Sequence, residues 1–276
     1  MKQLDGKVAV VTGAGSGIGR ALARRLAAEG MRVAGADVDA AGLADTAELV
    51  GADGFLGRVV DVADAGQVDA LADAVYGTWG QVDLLCNNAG VFVGGYLWDR
   101  PAADLEFVLG VNLWGILHGI RSFVPRMIAQ GTEGHVVNTS SVAGLFGAPF
   151  GGPYAVSKFA AFAATEALAN DLAAVGSSIG ASVLCPGMIR TEIAASDRNR
   201  PEALRTPLTD DQRFVTEYLA GAVAGGMDPA EVAATVVEGV RDGRFLILTH
   251  PEYRDELTTR AAALADGQLP GLANFV

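Results

Sequence analysis

The apolar run Val8-Ala9-Val10-Val11 breaks at once into Thr12-Gly13-Ala14-Gly15-Ser16-Gly17-Ile18-Gly19, and a helix-forming stretch, Arg20 to Glu29, follows without a gap. The run reads as a buried strand. Ile18, Leu22 and Leu26 then recur at helical spacing and mark the inner face of a helix. Glycines at such a junction cost backbone entropy, which is justified where the backbone must approach another group closely. A helix N-terminus also offers free N–H groups to a phosphate. Strand, glycine turn and helix in this order form a dinucleotide-binding signature. Gly13, Ser16, Gly17, Ile18 and Gly19 are its candidate contact residues.

The rest of the chain repeats the strand–helix alternation. Strands are predicted at Lys7–Thr12, Arg32–Asp37, Phe55–Val60, Val82–Cys86, His135–Ser140, Gly180–Cys185 and Phe245–Leu248. Helices are predicted at Gly17–Glu29, Ala40–Leu49, Ala65–Thr78, Ala102–Ile128, Pro153–Val175 and Pro229–Arg241. Such alternation implies an α/β fold: a seven-stranded parallel sheet, doubly wound, with helices on both faces. We read residues 1–276 as a single Rossmann-like domain, since no linker, repeat or low-complexity tract interrupts them. Residues 189–227 break the rhythm with Pro201, Pro207, Gly221, Gly225 and Gly226. Ligands of open α/β sheets bind beyond the carboxyl ends of the strands, so an irregular insertion there is expected to be a substrate lid. Residues 250–276 form a C-terminal extension.

Composition narrows the function classes. A net charge of -12 disfavours nucleic acid as a partner, because phosphates need basic patches. No uninterrupted apolar run approaches the roughly 20 residues of a membrane span. The N-terminus does not resemble a signal peptide, and a cytoplasmic location is expected. Cys86 and Cys185 end two different strand-like runs and are expected to be buried thiols. His118, His135 and His250 lack metal-ligand spacing, and no metal is expected.

Tyr154 and Lys158 stand four residues apart on a predicted helix, which puts phenol and ammonium on one face. A free tyrosine, with a pKa of about 10, is a poor base at neutrality. A neighbouring cation favours its phenolate. A serine hydroxyl upstream, at Ser141, can hold a substrate oxygen. Together these groups suit proton transfer to or from an alcohol or ketone. As a bare spacing the pair recurs on many surface helices; the glycine signature ahead of it gives it meaning. Asp37 ends the second strand about 20 residues after the glycine turn, where a carboxylate accepts the adenosine ribose hydroxyls. It would repel a 2′-phosphate, so NAD is the expected cofactor. Its other reading is a helix N-cap.

The spacing Thr-Gly-x-x-x-Gly-Ile-Gly, with Asn87-Asn88-Ala89-Gly90, Asn112, Ser141, Tyr154, Lys158 and Pro186-Gly187, resembles the short-chain dehydrogenase/reductase family. The resemblance runs from about Lys7 to about Thr249, and Val156 departs from the Ala or Ser more usual there. It implies that Asp61 and Val62 flank the adenine and that Asn88, Ala89 and Gly90 form a cofactor-side loop. It implies that Pro186, Gly187, Ile189 and Thr191 hold the nicotinamide amide. By the same resemblance Asn112 kinks its helix and holds a water linked to Lys158. The small residues after Ser141 select it over Ser140 as the family serine. The implied mechanism has Tyr154 as acid/base and Lys158 binding the nicotinamide ribose while lowering the Tyr154 pKa. Moving a tyrosine from about 10 to about 7 takes roughly 4 kcal/mol, for which Lys158 and the nicotinium charge are the expected sources.

The expected function is therefore NAD-dependent interconversion of a secondary alcohol and its ketone. Apolar residues after Gly90 (Val91, Phe92, Val93, Tyr96, Leu97, Trp98), near Ser141 (Leu145, Phe146, Phe150) and in the lid (Met188, Ile193, Leu204, Leu208, Phe214, Tyr218, Leu219) point to a bulky, largely apolar substrate. Arg190, Arg198, Arg200, Arg205 and Arg213 leave a substrate carboxylate open as an alternative, and are read first as solvated lid charges. Helices Ala102–Ile128 and Pro153–Val175 carry apolar residues on more than one face (Leu113, Ile116, Leu117 and Ile120, then Phe159, Phe162 and Leu168), which predicts a homotetramer, with a dimer as the alternative. The alternatives are a non-catalytic NAD-binding protein and an epimerase or dehydratase that retains its NAD. The complete set Ser141, Tyr154, Lys158 and Asn112 argues against the former, and the short chain beyond Leu248 against the latter.

Overall fold

A computed structural model describes residues 1–51 and 54–270. The strands are β1 (Val8–Thr12), β2 (Arg32–Asp37), β3 (Phe55–Val59), β4 (Leu84–Asn87), β5 (Gly134–Thr139), β6 (Ile179–Cys185) and β7 (Leu246–Leu248). They form a seven-stranded sheet in the order β3-β2-β1-β4-β5-β6-β7, and every pairing is parallel. Parallel strands need a crossover at each connection, and helices supply it. The order turns back between β1 and β4, so the carboxyl ends of these strands open a crevice.

Side-chain alternation divides β1 between two cores. Ala9 and Val11 pack with helices α1 (Gly17–Ala28) and α8 (Pro229–Asp242) through Leu22, Leu26, Val232 and Val236. Val8 and Val10 pack on the opposite face with α3 (Ala65–Trp79), α5 (Gly115–Gln130) and α6 (Gly152–Ala174) through Leu71, Phe123 and Leu168. All five β1 residues are buried, which is why the strand is a continuous apolar run rather than an alternating one. Aspartates start the covering helices where their carboxylates meet free N–H groups: Asp39 caps α2 (Ala40–Val50), Asp64 caps α3 and Asp228 caps α8. Cys86 on β4 and Cys185 on β6 are separated by β5, and both are buried free thiols.

Three parts differ from the sequence expectation. The predicted helix Ala102–Ile128 is α4 (Ala102–Leu109), a π-turn at Gly110–Trp114, and then α5. The wider turn turns Asn112 inward, with no exposed surface. By length and composition the stretch Ala102–Gln130 could cross a membrane, yet half of its apolar window is buried within this fold. The segment expected to be irregular contains α7 (Asp210–Ala224), preceded by short 3-10 turns at Ile193–Asn199 and Glu202–Leu204. Thr209 and Gln212 form a capping box at the α7 start, a signal legible in the sequence. The C-terminal extension forms α9 (Tyr253–Ala265); its residues 271–276 lie outside the described ones. None of the α9 residues is fully buried, so it lacks the apolar stripe that reveals a helix.

Candidate active site

The glycine turn packs so closely that side chains would not fit. A Cβ at Gly19 would lie 1.9 Å from the Gly13 carbonyl oxygen, and one at Gly13 (φ +68°) 2.8 Å from Ala89 Cα. Thr12 Oγ1 accepts from the N–H groups of Asn88 (2.9 Å) and Ala89 (3.0 Å), and Asn88 Nδ2 donates to the Thr12 carbonyl at 3.1 Å. Asn88-Ala89-Gly90 is thereby fastened to the end of β1. Gly17 (φ +49°) faces Thr191, so the turn also meets the Pro186–Thr191 segment. Arg20, which the sequence reading did not single out, donates to the carbonyls of Gly15 and Gly42 and to Thr46 Oγ1. Its place immediately after the last glycine was the available signal.

Asp37 accepts from Gly15 N at 2.8 Å and from Asp39 N at 2.9 Å. The N-cap reading belongs to Asp39, whose side chain accepts from Ala41 N and Gly42 N. Two of roughly four acceptor positions on the Asp37 carboxylate are used, which leaves room for two hydroxyls. Asp61 and Val62 line the same cavity, with Asp61 closing a local turn through Ala63 N at 2.9 Å.

At the other end of the crevice, β5 delivers Ser140 and Ser141, and the first two turns of α6 carry Tyr154 and Lys158. Ser140 donates to the Lys158 carbonyl at 2.7 Å. Ser141 accepts from Ala143 N at 3.1 Å and is hydrogen-bonded to Tyr154. Lys158 Nζ lies 5.6 Å from the Tyr154 ring centroid and donates to the Thr139 carbonyl at 3.1 Å. Asn112 holds both polar groups of Val91: its Oδ1 accepts from Val91 N (2.8 Å) and its Nδ2 donates to Val91 O (3.0 Å). The same Nδ2 donates to Ser157 Oγ at 2.9 Å. The expected kink at Asn112 is thus a π-turn, and its side chain is spent on the loop that follows β4.

Burial acts on both members of the Tyr154–Lys158 pair in the protein alone. Burial pushes the Tyr154 phenol up to about 12, against the lowering effect of its Ser141 hydrogen bond. The same burial pushes Lys158 down to about 8, so its charge is itself weakened.

A single cavity of about 860 Å³ joins these groups, from the glycine turn and Asp37 to Ser141, Tyr154 and Lys158. Pro186, Gly187, Ile189 and Thr191 line it between the two ends. Of the apolar candidates, Val91, Phe92, Phe146, Phe150, Met188, Ile193, Leu204, Phe214, Tyr218 and Leu219 also line it. Val93 and Leu145 belong instead to packed cores, and Tyr96, Leu97, Trp98 and Leu208 are surface residues.

Residues 189–227 are tied down at several points. Met227 pairs with Met188 and Arg190 through the backbone, and Phe92 N donates to Ser196 Oγ at 3.0 Å. The reading of Arg200 as a solvated charge is overturned. It is buried, lies over the Phe107 ring at 4.5 Å and donates to Asp104 at 2.8 Å. Asp104, on α4, also accepts from Thr206 (3.0 Å) and Gln212 (2.8 Å). One enclosed carboxylate thus gathers three points of this segment. Removing Arg200 or Asp104 would break a buried ion pair, which typically costs about 3–5 kcal/mol.

The fold and this constellation define a class, and comparison with known proteins agrees. The family profile described as short chain dehydrogenase matches residues 7–202. The chain belongs to the short-chain dehydrogenase/reductase family and is an oxidoreductase of it. Among solved structures, a short-chain dehydrogenase/reductase from Burkholderia phymatum in complex with NAD is 43% identical, covers 100% of both chains and superposes with a TM-score of 0.96. The "CLA biosynthesis dehydrogenase/reductase" of Lactiplantibacillus plantarum is 33% identical over 98% of this chain and 97% of that protein. The "C alpha-dehydrogenase" of a Sphingobium strain is 34% identical over 98% of this chain and 89% of its own.

Proposed function

We propose that this protein is an NAD-dependent short-chain alcohol dehydrogenase that interconverts a bulky, largely apolar secondary alcohol and its ketone. The observation that carries this reading is the continuity of the cavity, with Asp37 and the glycine turn at one end and Ser141, Tyr154 and Lys158 at the other. The donor set fits a dinucleotide: close-approach glycines at a helix N-terminus for the pyrophosphate, a carboxylate with free acceptor positions for the ribose, and an ammonium beside the reacting site. Gly13, Ser16, Gly17, Ile18 and Gly19 would hold the pyrophosphate side, and Asp61 and Val62 the adenine. Asn88, Ala89, Gly90, Pro186, Gly187, Ile189 and Thr191 would enclose the nicotinamide half. The related structure from Burkholderia phymatum, which holds NAD, supports the choice of cofactor. Bound NAD would supply the hydride acceptor and a positive charge that favours the phenolate.

Within that frame Ser141 orients the carbinol oxygen and Tyr154 exchanges its proton. Lys158 favours the phenolate and holds ribose hydroxyls. Asn112 acts indirectly, by fixing the loop at Val91. The cavity wall is apolar, with few side-chain donors for a sugar. A bulky aryl or alicyclic secondary alcohol is therefore expected to show a higher kcat/KM than a small polyol when NADH formation is followed spectrophotometrically. A higher value for the polyol would overturn the substrate class. Net NADH release also separates this reading from an epimerase or dehydratase that retains its NAD.

We further propose a cytoplasmic homotetramer, with a dimer as the alternative, built on one domain with residues 189–227 as its lid. Part of the apolar surface first assigned to subunit contact is internal: Ile116 and Leu168 are buried, and Phe162 packs edge-on against Phe245. Trp114 and Val156 remain exposed at 53% and 44%, on the π-turn and on α6, and give a second copy a face to cover. Light scattering at micromolar concentration is expected to give a tetramer mass; a monomer would end this proposal.

A further inference from the structure

Among the described non-glycine residues, only Phe150 has a positive φ, at +58°. For a bulky side chain that conformation is a genuine outlier. Gly151 and Gly152 follow immediately, and either glycine adopts it without strain. A strained residue persists where its surroundings over-determine it, and such residues cluster at ligand sites. Here the Phe150 carbonyl accepts from Gly95 N at 2.7 Å, and Tyr154 N donates to the Val93 carbonyl at 3.1 Å. A Cβ at Gly152 would lie 2.4 Å from the Gly95 carbonyl oxygen, so the two backbones meet too closely there for any residue but glycine. The consequence is the position of one ring. Phe150 lines the cavity and meets Tyr96 at 4.9 Å on one side and Phe214 of α7 at 5.5 Å on the other. Both contacts are tilted, at 39° and 59°, within the range aromatic pairs favour. Phe214 also lines the cavity and is 59% exposed, so ring surface beside Phe150 remains for a ligand to cover.

We propose that Phe150 is a specificity-determining residue whose ring, fixed in the cavity wall between Tyr96 and Phe214, selects a substrate bearing an aromatic ring beyond its reacting carbon over an aliphatic one of equal bulk. This rests on the alcohol dehydrogenase reading and names its substrate class more closely. Burial of apolar area does not separate an aryl group from a cyclohexyl group; ring geometry does.

The test uses the full chain saturated with NAD⁺, to which a ketone has no hydride to give, so that binding is read without turnover. Binding of 4-phenyl-2-butanone and of its cyclohexyl counterpart is measured by calorimetry for the wild type and for Phe150→Leu, Phe150→Ala and Phe150→Gly. The wild type is expected to bind the phenyl ketone about fivefold more tightly than the cyclohexyl ketone, the size of an aromatic contact. In all three variants the ratio is expected to fall to near one. Phe150→Gly is expected to melt above Phe150→Ala, since glycine alone relieves the backbone. Phe150→Leu keeps apolar bulk and carries the test where the smaller variants fail to fold. A wild-type ratio near one, or an aryl preference that survives in Phe150→Leu, would overturn the proposal. Phe150→Ala melting at or above Phe150→Gly would overturn its strained-backbone basis. Oxidation of 4-phenyl-2-butanol is followed in parallel. No NADH formation with the binding preference intact would remove the dehydrogenase reading alone; turnover without the preference would remove Phe150 alone.

Discussion

Tyr154→Phe is expected to lower kcat by about a hundred- to ten-thousand-fold, the usual contribution of a positioned acid or base, while NAD affinity stays nearly unchanged. The substitution removes one oxygen from a buried ring. Ser141 Oγ keeps Ala143 N at 3.1 Å and the Pro186 carbonyl at 3.4 Å, so no hydroxyl is orphaned and the melting temperature should hold near that of the wild type. Steady-state kinetics with NAD titration reads the two effects separately. More than a tenth of the activity remaining would remove Tyr154 from the acid/base role. The direction of the pH dependence follows from burial, which pushes the phenol up to about 12 in the protein alone. Oxidation needs the phenolate and reduction needs the phenol. The kcat/KM for oxidation should therefore rise with pH on the alkaline side, and that for reduction should fall. Lys158→Ala should lose activity and also weaken NAD binding, a combination that distinguishes it from Tyr154→Phe.

NAD should be preferred over NADP by about a hundredfold or more in kcat/KM. The Asp37 carboxylate offers its free acceptor positions to two ribose hydroxyls, each worth about 1.5–3 kcal/mol when bonded to a charged partner. A 2′-phosphate removes one of these donors and sets a dianion beside the carboxylate. Gly15 and Asp39 N–H groups hold Asp37 in place, so it cannot swing aside. Asp37→Ala should narrow the ratio between the cofactors mainly by weakening NAD. Equal use of both cofactors by the wild type, or an unchanged ratio in Asp37→Ala, would overturn the assignment.

The fold was legible because its signals are local and repeated. Each buried parallel strand leaves a short apolar run, and each crossover helix leaves a periodic stripe or an aspartate cap. The site residues were legible for a related reason. The carboxyl ends of β1, β2, β4 and β5 and the start of α6 follow directly from strand and helix order, so residues at those points converge once the sheet closes. Elements without a local signal were missed. Helix α9 buries no residue fully, and α7 lay behind two prolines with only the Thr209–Gln212 capping box to mark it.

By itself the sequence determined the parallel α/β architecture, the order of its elements and the chemical groups that meet at the crevice, since these depend on periodicity, turn chemistry and chain order. Tertiary structure alone decided the electrostatic and steric state of those groups. Arg200 is buried because Asp104, almost a hundred residues away in sequence, encloses its charge. The Tyr154 phenol is pushed up and the Lys158 ammonium down because distant elements pack around them, an effect no spacing along the chain encodes. Phe150 takes its left-handed conformation because Gly95 and Tyr154 fix the backbone around it. Desolvation and strain belong to the surroundings of a residue, and those surroundings exist only after distant segments have packed.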